Sequence, residues 1–435
     1  MVGSIDSLLQ SPVLAGAMAR SGKNADVLDG VKPRLVVEPG SAAEVAALLA
    51  WASKERLSVV FRGGGTKLAW GRLPEPIDLM IGMRAMNRVL SHAHADLTAT
   101  VEAGATLEEV NAELGRYRQW LPIDAPDGAT VGGAIATNDS GPLRHRYGTP
   151  RDLLIGVELA ITDGRLVKAG GKVVKNVAGY DLSRLVTGSF GSLAAIVSAT
   201  FKLLPVPVSF QTLIAPFRNG DSITRAVASL NDSQLEPIAI EVHMRCVGRA
   251  FTARQAAREG PPYDDDTAPY RLLVRFAGAP AATVAQATQA RALIGTGEVI
   301  AGEPESAAWR RYVARSAGSA DTVVRINWLP AVLPQVLGLV EDLAASHQKV
   351  ELMGRAAGGA GLLRLEGEID WQASVAEQLR ARPDVVRHVT IRDAPPDVKR
   401  KVDAWGHLGA AGTLASAVKR ALDPAGILNA GRGPI

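Results

Sequence analysis

The feature that most constrains the fold is a capped helix that leads into a short apolar strand and then into three consecutive glycines. Ser41 is followed three residues later by Glu44, the spacing of a helix capping box, and alanine and leucine then recur at helical intervals. The strand "LSVVF" comes next, followed by glycine at positions 63–65. Thr106 and Glu109 repeat the capping pattern at a second helix. This alternation predicts an α/β segment with short connections, in which the glycines serve a sharp turn or a close approach.

Farther along the chain the character of the sequence changes twice. Small residues, with glycine at 128, 132 and 133, are frequent in residues 120–140, and the next segment predicts a β-hairpin around Asp163 and Gly164. A helix, a turn of small residues and a strand follow, and the strand stops at Pro205 and Pro207. Residues 208–395 alternate strands such as "YRLLVRFAG" with helices such as "VLPQVLGLVEDLAA", which favours an α+β domain with an antiparallel sheet. The polar segment "GPPYDDDTAPY" is interpreted as a surface loop.

Composition excludes several classes of protein. The chain has 435 residues, a formal net charge of +4 and one cysteine, Cys246, so disulfides within the chain and cysteine-rich metal or iron–sulfur sites are ruled out. Its basic clusters are short and contain few aromatic residues, so we interpret them as solvated faces, with a nucleic-acid stripe as the alternative. The N-terminus lacks a basic leader, and no window is apolar enough to span a bilayer. We therefore expect a cytoplasmic chain, and any association with a membrane would come through partners.

The two glycine-rich loops, residues 62–71 and 126–148, do not match the commonest nucleotide motifs. No G-x-G-x-x-G follows a strand, and "GGGTK" lacks the order and spacing of a P-loop. Each loop could be a tight turn without a ligand. Alternatively, consecutive amide groups without side-chain bulk could form a concavity that binds a diphosphate.

Several segments in order carry a resemblance. "RGGGTKLAWG", then "PDGATVGGAIATNDSGPLRHRYGTPRD", then the terminal "DPAGILNAG" are similar to the vanillyl-alcohol-oxidase type of FAD-binding domain. The segment "GGKVVKNVAGYDLSRLVTGSFGSL" resembles the flavin subunits of bacterial glycolate oxidase, and the first loop and the chain length favour the smaller of those subunits. The resemblance covers about residues 32–206 and 405–435.

The resemblance implies an α+β fold, with a two-lobed FAD-binding domain of the vanillyl-alcohol-oxidase type and a smaller α+β cap domain that contains an antiparallel sheet. The expected organisation is an N-terminal helical segment at 1–31, the FAD-binding domain at 32–206 with lobes at about 32–90 and 91–206, the cap-like domain at 207–395, and a C-terminal segment at 396–435 that returns to the FAD domain.

The resemblance also assigns cofactor-binding positions, although the glycines could equally serve tight turns. The first loop would wrap the FAD diphosphate, the second would complete the cradle, and one strand residue would meet the adenine side. These positions are Arg62, Gly63, Gly64, Gly65, Thr66, Lys67, Pro126, Gly128, Thr130, Gly132, Gly133, Ala136, Thr137, Ser140, Gly141 and Ile196. Because the first loop contains neither histidine nor cysteine, we predict that FAD is bound non-covalently.

The substrate machinery of the catalytic relatives is not found in this sequence. Those relatives carry H-x-G-D-x-N-x-H and E-H-G in the cap domain, and neither occurs among the seven histidines of this chain. We therefore predict no metal site. If the chain binds substrate itself, Arg325 could hold a carboxylate, and His243 or His145 could act as a base.

The resulting hypothesis is a redox flavoprotein subunit of a glycolate-oxidising complex, with a catalytic flavin subunit and an iron–sulfur subunit as its partners. The 2-hydroxy acid would then be bound by a partner. A stand-alone FAD-dependent 2-hydroxy-acid dehydrogenase, acting on glycolate or D-lactate, is the second hypothesis. A non-catalytic scaffold without flavin is the third.

Overall fold

A computed structural model of the chain describes residues 9–14, 17–171, 179–247, 268–315, 322–344 and 348–434. It divides into two compact units. The first unit comprises residues 1–140, 148–206 and 407–435, and the second comprises residues 141–147 and 207–406. No helix in the described ranges is both long and apolar enough to cross a membrane.

The regular elements of the described ranges are numbered in chain order. The strands are β1 Met18–Ser21, β2 Leu35–Glu38, β3 Val59–Arg62, β4 Leu79–Gly82, β5 Val89–Ala93, β6 Thr98–Glu102, β7 Gln119–Trp120, β8 Leu154–Ala160, β9 Leu166–Gly170, β10 Ala195–Lys202, β11 Leu204–Pro205, β12 Ser209–Phe217, β13 Ala239–Val247, β14 Tyr270–Gly278, β15 Glu298–Ala301, β16 Thr322–Asn327, β17 Lys349–Arg355, β18 Ala360–Glu366 and β19 His388–Asp393. The α-helices are α1 Ala42–Glu55, α2 Leu107–Gly115, α3 Val131–Thr137, α4 Arg144–Tyr147, α5 Pro150–Leu153, α6 Leu182–Val186, α7 Gly220–Asn231, α8 Pro280–Ile294, α9 Gly302–Arg315, α10 Leu333–Ala344, α11 Ile369–Arg380, α12 Pro396–Lys401 and α13 Ala410–Leu422.

The first sheet of the first unit has the strand order β1-β2-β4-β3. Strands β2, β4 and β3 are parallel, and β1 is antiparallel to β2. The helix that connects β2 to β3 is α1, and the Ser41 side chain accepts a hydrogen bond from the Glu44 amide at its start, as the sequence predicted. The apolar side of α1 packs into the core of this sheet through Val45, Leu48 and Leu49. Because the glycine loop directly follows β3, it lies at one end of a packed sheet.

The second sheet of the first unit is entirely antiparallel, with the order β5-β6-β10-β8-β9. The predicted hairpin is confirmed, because β8 pairs with β9 across the turn that contains Asp163 and Gly164. Helix α2 begins with the predicted capping box, in which Thr106 and Glu109 exchange hydrogen bonds. Helix α3, which begins after Thr130, packs with α2 against this sheet.

The second unit contains an eight-stranded antiparallel sheet with the order β15-β12-β14-β13-β17-β18-β16-β19. Helices α7, α8, α10 and α11 contribute Val227, Ala287, Val336 and Leu379 to its main core. The predicted α+β domain with an antiparallel sheet is therefore confirmed.

Several predicted boundaries can be compared with the observed elements. The predicted N-terminal helical segment contains strand β1 and the 3-10 helices Pro12–Leu14 and Asn24–Asp26. The predicted C-terminal segment is divided, with residues 396–406 in the second unit and 407–435 in the first. Residues 172–178, within the segment that resembles glycolate oxidase, and 260–267, within the predicted polar loop, lie outside the described residues.

Candidate functional site

A cleft in the first unit collects both glycine-rich loops. It holds about 820 Å³ of space outside the protein atoms, part of it open to solvent. Its walls come from the ends of β3 and β4, helix α3, the residues before and at the start of β10, and the C-terminal segment. The residues that line it are Phe61, Gly63, Gly64, Gly65, Thr66, Lys67, Leu68, Met83, Ala103, Thr130, Gly132, Gly133, Ala136, Thr137, Phe190, Gly191, Ala194, Ala195, Ile196, Asn429 and Arg432.

The backbone of the first glycine loop, which lines this cleft, has unused hydrogen-bond donors. Among the described residues, no protein acceptor is found for the amide N–H groups of Gly63, Gly64, Gly65 and Thr66. Gly64 and Gly65 are exposed, and Gly63 and Thr66 are half-buried, so water can reach this loop. A run of consecutive amide donors with little side-chain bulk is typical of a concavity that binds an anion.

The glycines of this loop are required mainly because the second glycine-rich loop packs closely against them. A Cβ on Gly63 would lie 2.1 Å from Oγ1 of Thr130, and one on Gly64 would lie 1.8 Å from the carbonyl oxygen of Gly128. Gly65 has a φ of +82°, a conformation that residues with a side chain rarely adopt. The two loops therefore pack closely against each other, and both contribute residues to the lining of the cleft.

One lysine adds positive charge to the same wall. The Lys67 side chain is 6% exposed, and its Nζ lies 3.5 Å from Oδ2 of Asp139 and 5.8 Å from the ring centroid of Trp70. The Trp70 ring is 6.5 Å from that of Phe190, which also lines the cleft. The Lys67 cation, the first glycine loop and the aromatic ring of Phe190 thus line one concave site.

The side chain of Arg62, the first residue of the predicted diphosphate loop, points toward an acid. Its Nη1 lies 2.7 Å from Oδ1 of Asp26, and its Nη2 lies 3.8 Å from Oε1 of Glu38. Asp26 also accepts hydrogen bonds from Arg20 and from the Lys23 amide. The hydrogen bond from Arg20, with help from Lys23 and Arg62 and against the effect of burial, holds the pKa of the Asp26 carboxyl well below its usual range. Arg62 therefore anchors the end of β3 in an ion-pair cluster.

The structure brings eleven of the sixteen predicted cofactor residues to the cleft and places five elsewhere. Those that line the cleft are Gly63, Gly64, Gly65, Thr66, Lys67, Thr130, Gly132, Gly133, Ala136, Thr137 and Ile196. Those outside its lining are Arg62, Pro126, Gly128, Ser140 and Gly141, of which Gly141 belongs to the second unit.

Ten further lining residues were not among the predicted positions. They are Phe61, Leu68, Met83, Ala103, Phe190, Gly191, Ala194, Ala195, Asn429 and Arg432. Most are small or apolar, and only their position next to the glycine loops or in the terminal "ILNAGR" could have indicated them.

His243, a candidate base, is sealed inside the second unit. It is 1% exposed, and its Nε2 lies 2.6 Å from Oε1 of Glu351, which also binds Nη1 of Arg315 at 3.0 Å. Burial lowers the pKa of His243, although Glu351 opposes that shift. Burial raises the pKa of Glu351, but the His243 hydrogen bond and the charges of His243, Arg315 and Arg364 outweigh it and lower the pKa to about 2. A substrate could reach His243 only if these side chains moved.

The other two substrate candidates also lie in the second unit. Arg325 is on β16, paired with Leu362 of β18 and Thr390 of β19. His145 is exposed on the one-turn helix α4. In the described part of the chain, no group of three or more histidine, cysteine, aspartate or glutamate side chains could hold a metal ion.

The comparison with protein families agrees with the chemistry of the cleft. Residues 33–170 match the model of the FAD binding domain family, and this range contains both glycine loops. The four unpartnered amides and Lys67 fit the diphosphate of FAD, and the small and apolar residues of the walls fit its rings. Residues 33–170 are therefore similar to an FAD-binding domain, and the predicted cofactor is confirmed.

Curated relatives are similar to this chain over part of their length. Glycolate oxidase subunit GlcD of Bacillus subtilis is 34% identical over 211 residues, which cover 48% of this chain and 45% of the relative. D-lactate dehydrogenase of Archaeoglobus fulgidus is 34% identical over 51% of this chain and 52% of its own. D-2-hydroxyglutarate dehydrogenase of Xanthomonas citri pv. viticola is 28% identical over 71% of this chain and 68% of its own. The chain thus spans about half the length of the first two relatives.

Solved structures match the whole fold. Two structures of alkyldihydroxyacetonephosphate synthase superpose with TM-scores of 0.66 and 0.65 at 17% identity. Each match covers 92% of this chain and about three quarters of the other, 76% and 77%. The predicted fold class is confirmed by this likeness in fold together with the family match at residues 33–170.

Proposed function

We propose that this chain is an FAD-dependent oxidoreductase that takes part in the oxidation of a small 2-hydroxy acid, with glycolate as the first substrate to test. The observation that carries the proposal is the row of four amide donors without a protein acceptor, Gly63 to Thr66, in residues that line a cleft within the range matched by the FAD binding domain family. When bound there, FAD supplies a two-electron acceptor for the hydride of the substrate alcohol.

The residues of the chain have distinct parts in this function. The amides of the first loop hold the diphosphate, and Lys67 adds a positive charge beside it. Thr130 packs against Gly63 and caps α3 through the Gly133 amide, which fixes the second loop against the first. The apolar walls exclude water from the cofactor.

The names of the relatives support the substrate class. They are a glycolate oxidase subunit, a D-lactate dehydrogenase and a D-2-hydroxyglutarate dehydrogenase, and all three names describe oxidation of 2-hydroxy acids. Because the match to the first two spans about half of each relative, the activity and the substrate of this chain are parts of the proposal.

We further propose that the chain corresponds to the smaller, E, FAD-binding subunit of bacterial glycolate oxidase, with FAD held non-covalently. Its partners would be a catalytic flavin subunit, which binds the hydroxy acid and forms glyoxylate from glycolate, and an iron–sulfur subunit. The support is the sequence resemblance described above together with the burial of His243, one of the two candidate bases in this chain. The stand-alone dehydrogenase and the flavin-free scaffold are the competing hypotheses.

The deciding experiment is an anaerobic absorption spectrum of the purified chain from 300 to 550 nm. Glycolate, D-lactate and D-2-hydroxyglutarate are added in turn, with acetate as the control that lacks a hydroxyl group and dithionite as a chemical reductant. A flavin spectrum bleached by dithionite alone, and by glycolate after both partner subunits are added, supports the proposal. Bleaching by a hydroxy acid without partners supports the stand-alone dehydrogenase, and the absence of a flavin spectrum supports the scaffold.

A further inference from the structure

Arg432 is a buried arginine in the wall of the FAD cleft. It is 5% exposed, and its guanidinium donates to three acceptors that belong to two separate parts of the chain. Nη1 lies 3.0 Å from Oδ1 of Asn429, and Nη2 lies 3.1 Å from the carbonyl oxygen of Trp70 and also contacts that of Leu68. The side chain therefore joins the C-terminal segment to the loop that follows the first glycine cluster.

The C-terminal segment, residues 427–432, is held to two further parts of the cleft. The amide of Asn429 donates to the carbonyl of Val59 in β3 at 2.7 Å, and its Nδ2 donates to the carbonyl of Phe190 at 2.5 Å. Asp423, which is 1% exposed, accepts hydrogen bonds from the amides of Ile427 and Leu428. The segment thus ties together the three chain regions that carry Phe61, Leu68 and Phe190 to the cleft.

An arginine suits this position better than a lysine. Its planar fork places several N–H groups in fixed directions and can reach acceptors on Asn429, Leu68 and Trp70 together, whereas an ammonium is a single point of charge. Burial lowers the pKa of Arg432 to about 10, so the group remains protonated at neutral pH. It therefore brings a positive charge to a cleft that receives an anionic cofactor.

We propose that Arg432 is a positioning residue for FAD, because its guanidinium fastens residues 427–432 to the loop at residues 68–70 and so couples docking of this segment to cofactor binding. A ligand that binds the docked form more tightly than the undocked form stabilises the docked form. By the same linkage, a variant that loosens the segment binds FAD more weakly even when the rest of the first unit is folded. This inference rests on the cofactor and is independent of the substrate.

The test uses the full chain, freed of FAD, in native form and as Arg432→Met, Arg432→Lys and the control Arg420→Met. Arg420 is an exposed arginine on α13 and does not line the cleft. FAD affinity is measured by fluorescence titration at a temperature at which circular dichroism shows each apoprotein to be folded. Hydrogen exchange of a peptide that contains residues 427–432 is followed with and without FAD.

We expect Arg432→Met to weaken FAD binding by about tenfold or more and Arg432→Lys by about threefold or more, with Arg420→Met unchanged. FAD should slow exchange of the 427–432 peptide in the native chain, and this protection should disappear in Arg432→Met. Equal FAD affinity in a folded Arg432 variant, or exchange that does not respond to FAD in the native chain, would overturn the proposal. If Arg432→Met does not fold, Arg432→Lys decides by the same criteria.

The outcomes also separate this proposal from the proposed function. A native chain that binds FAD but is not reduced by any hydroxy acid, alone or with partner subunits, contradicts the proposed function and leaves the Arg432 measurements intact. A native chain that binds no FAD contradicts both.

Discussion

Replacing Gly64 by alanine is the sharpest test of how the first glycine loop is built. The new Cβ would lie 1.8 Å from the carbonyl oxygen of Gly128, and 2.9 Å from its carbon, where contacts under 3.0 Å are essentially never found. Both partners are backbone, so no side chain can turn away to relieve the clash. The two loops must separate by about 1.2 Å to bring the Cβ to 3.0 Å from the oxygen.

This separation sets the expected loss of stability and of FAD affinity in Gly64→Ala. Forcing extra volume into a packed site costs about 1–3 kcal/mol, and a rigid backbone contact belongs at the upper end. Amide-to-phosphate hydrogen bonds of ordinary length would not survive a shift of this size, and losing one such bond to a charged group costs about 1.5–3 kcal/mol. Since about 1.4 kcal/mol is a tenfold change in affinity, FAD should bind at least about tenfold more weakly.

Two further alanine variants make the comparison quantitative. Gly65→Ala meets no atom closer than 3.9 Å but must adopt a φ of +82°, which costs about 1–2 kcal/mol. Gly115→Ala, at the exposed end of α2, meets nothing within 4 Å and should be neutral or stabilising. Urea unfolding and FAD titration of all three should rank Gly64→Ala as the most damaging. The packing argument fails if Gly64→Ala matches Gly115→Ala in both measurements.

Two predictions concern buried charges. Asp26→Asn should destabilise the first unit by about 2 kcal/mol at pH 7, because Arg20 and Arg62 lose their shared carboxylate. Since the pKa of Asp26 is lower in the folded state than in the unfolded chain, this stability is complete above about pH 4 and is lost as the pH falls further. The difference between native and variant in urea unfolding should therefore shrink below pH 4, and a constant difference would contradict the assignment. In the second unit, Glu351→Gln should cost about 3 kcal/mol in denaturant unfolding, because it leaves His243 and its neighbouring arginine without their carboxylate, and a variant of native stability would refute this.

Local features were predictable from the sequence because their signals are local. The caps at Ser41 and Thr106 depend on residues three positions apart, and the hairpin at residues 163–164 depends on one turn. The glycine loops were recognised for the same reason, since small residues in succession are visible without knowledge of the fold. Even so, the neighbour that requires Gly64 to be glycine is Gly128, which no local pattern identifies.

Long-range placements were less accessible. Arg62 adjoins the glycine loop in sequence, but it does not line the cleft. Its side chain pairs with Asp26, which lies 36 residues earlier. Arg432 lies 362 residues from Trp70, and a single arginine in a glycine-rich tail gives no sign of burial. His243 was predicted as a candidate base, and only the structure shows that Glu351, 108 residues later, lies beside it. The glycine loops are therefore visible in the sequence, whereas the distant residues that contact them are visible only in the structure.

The discontinuous first unit has a consequence for how the protein is made. Strand β3 is bordered by residues 427–429, so one side of the FAD cleft is completed by residues that leave the ribosome after the whole second unit. A nascent chain that has folded the sheets of its first unit still exposes Val59 and the loop at residues 68–70 without these partners. Contacts of such long separation form late, because the chain between them must first be ordered. Capture of the flavin is therefore expected only after residues 427–432 have been made, and ribosome-bound chains stalled before residue 427 should remain colourless.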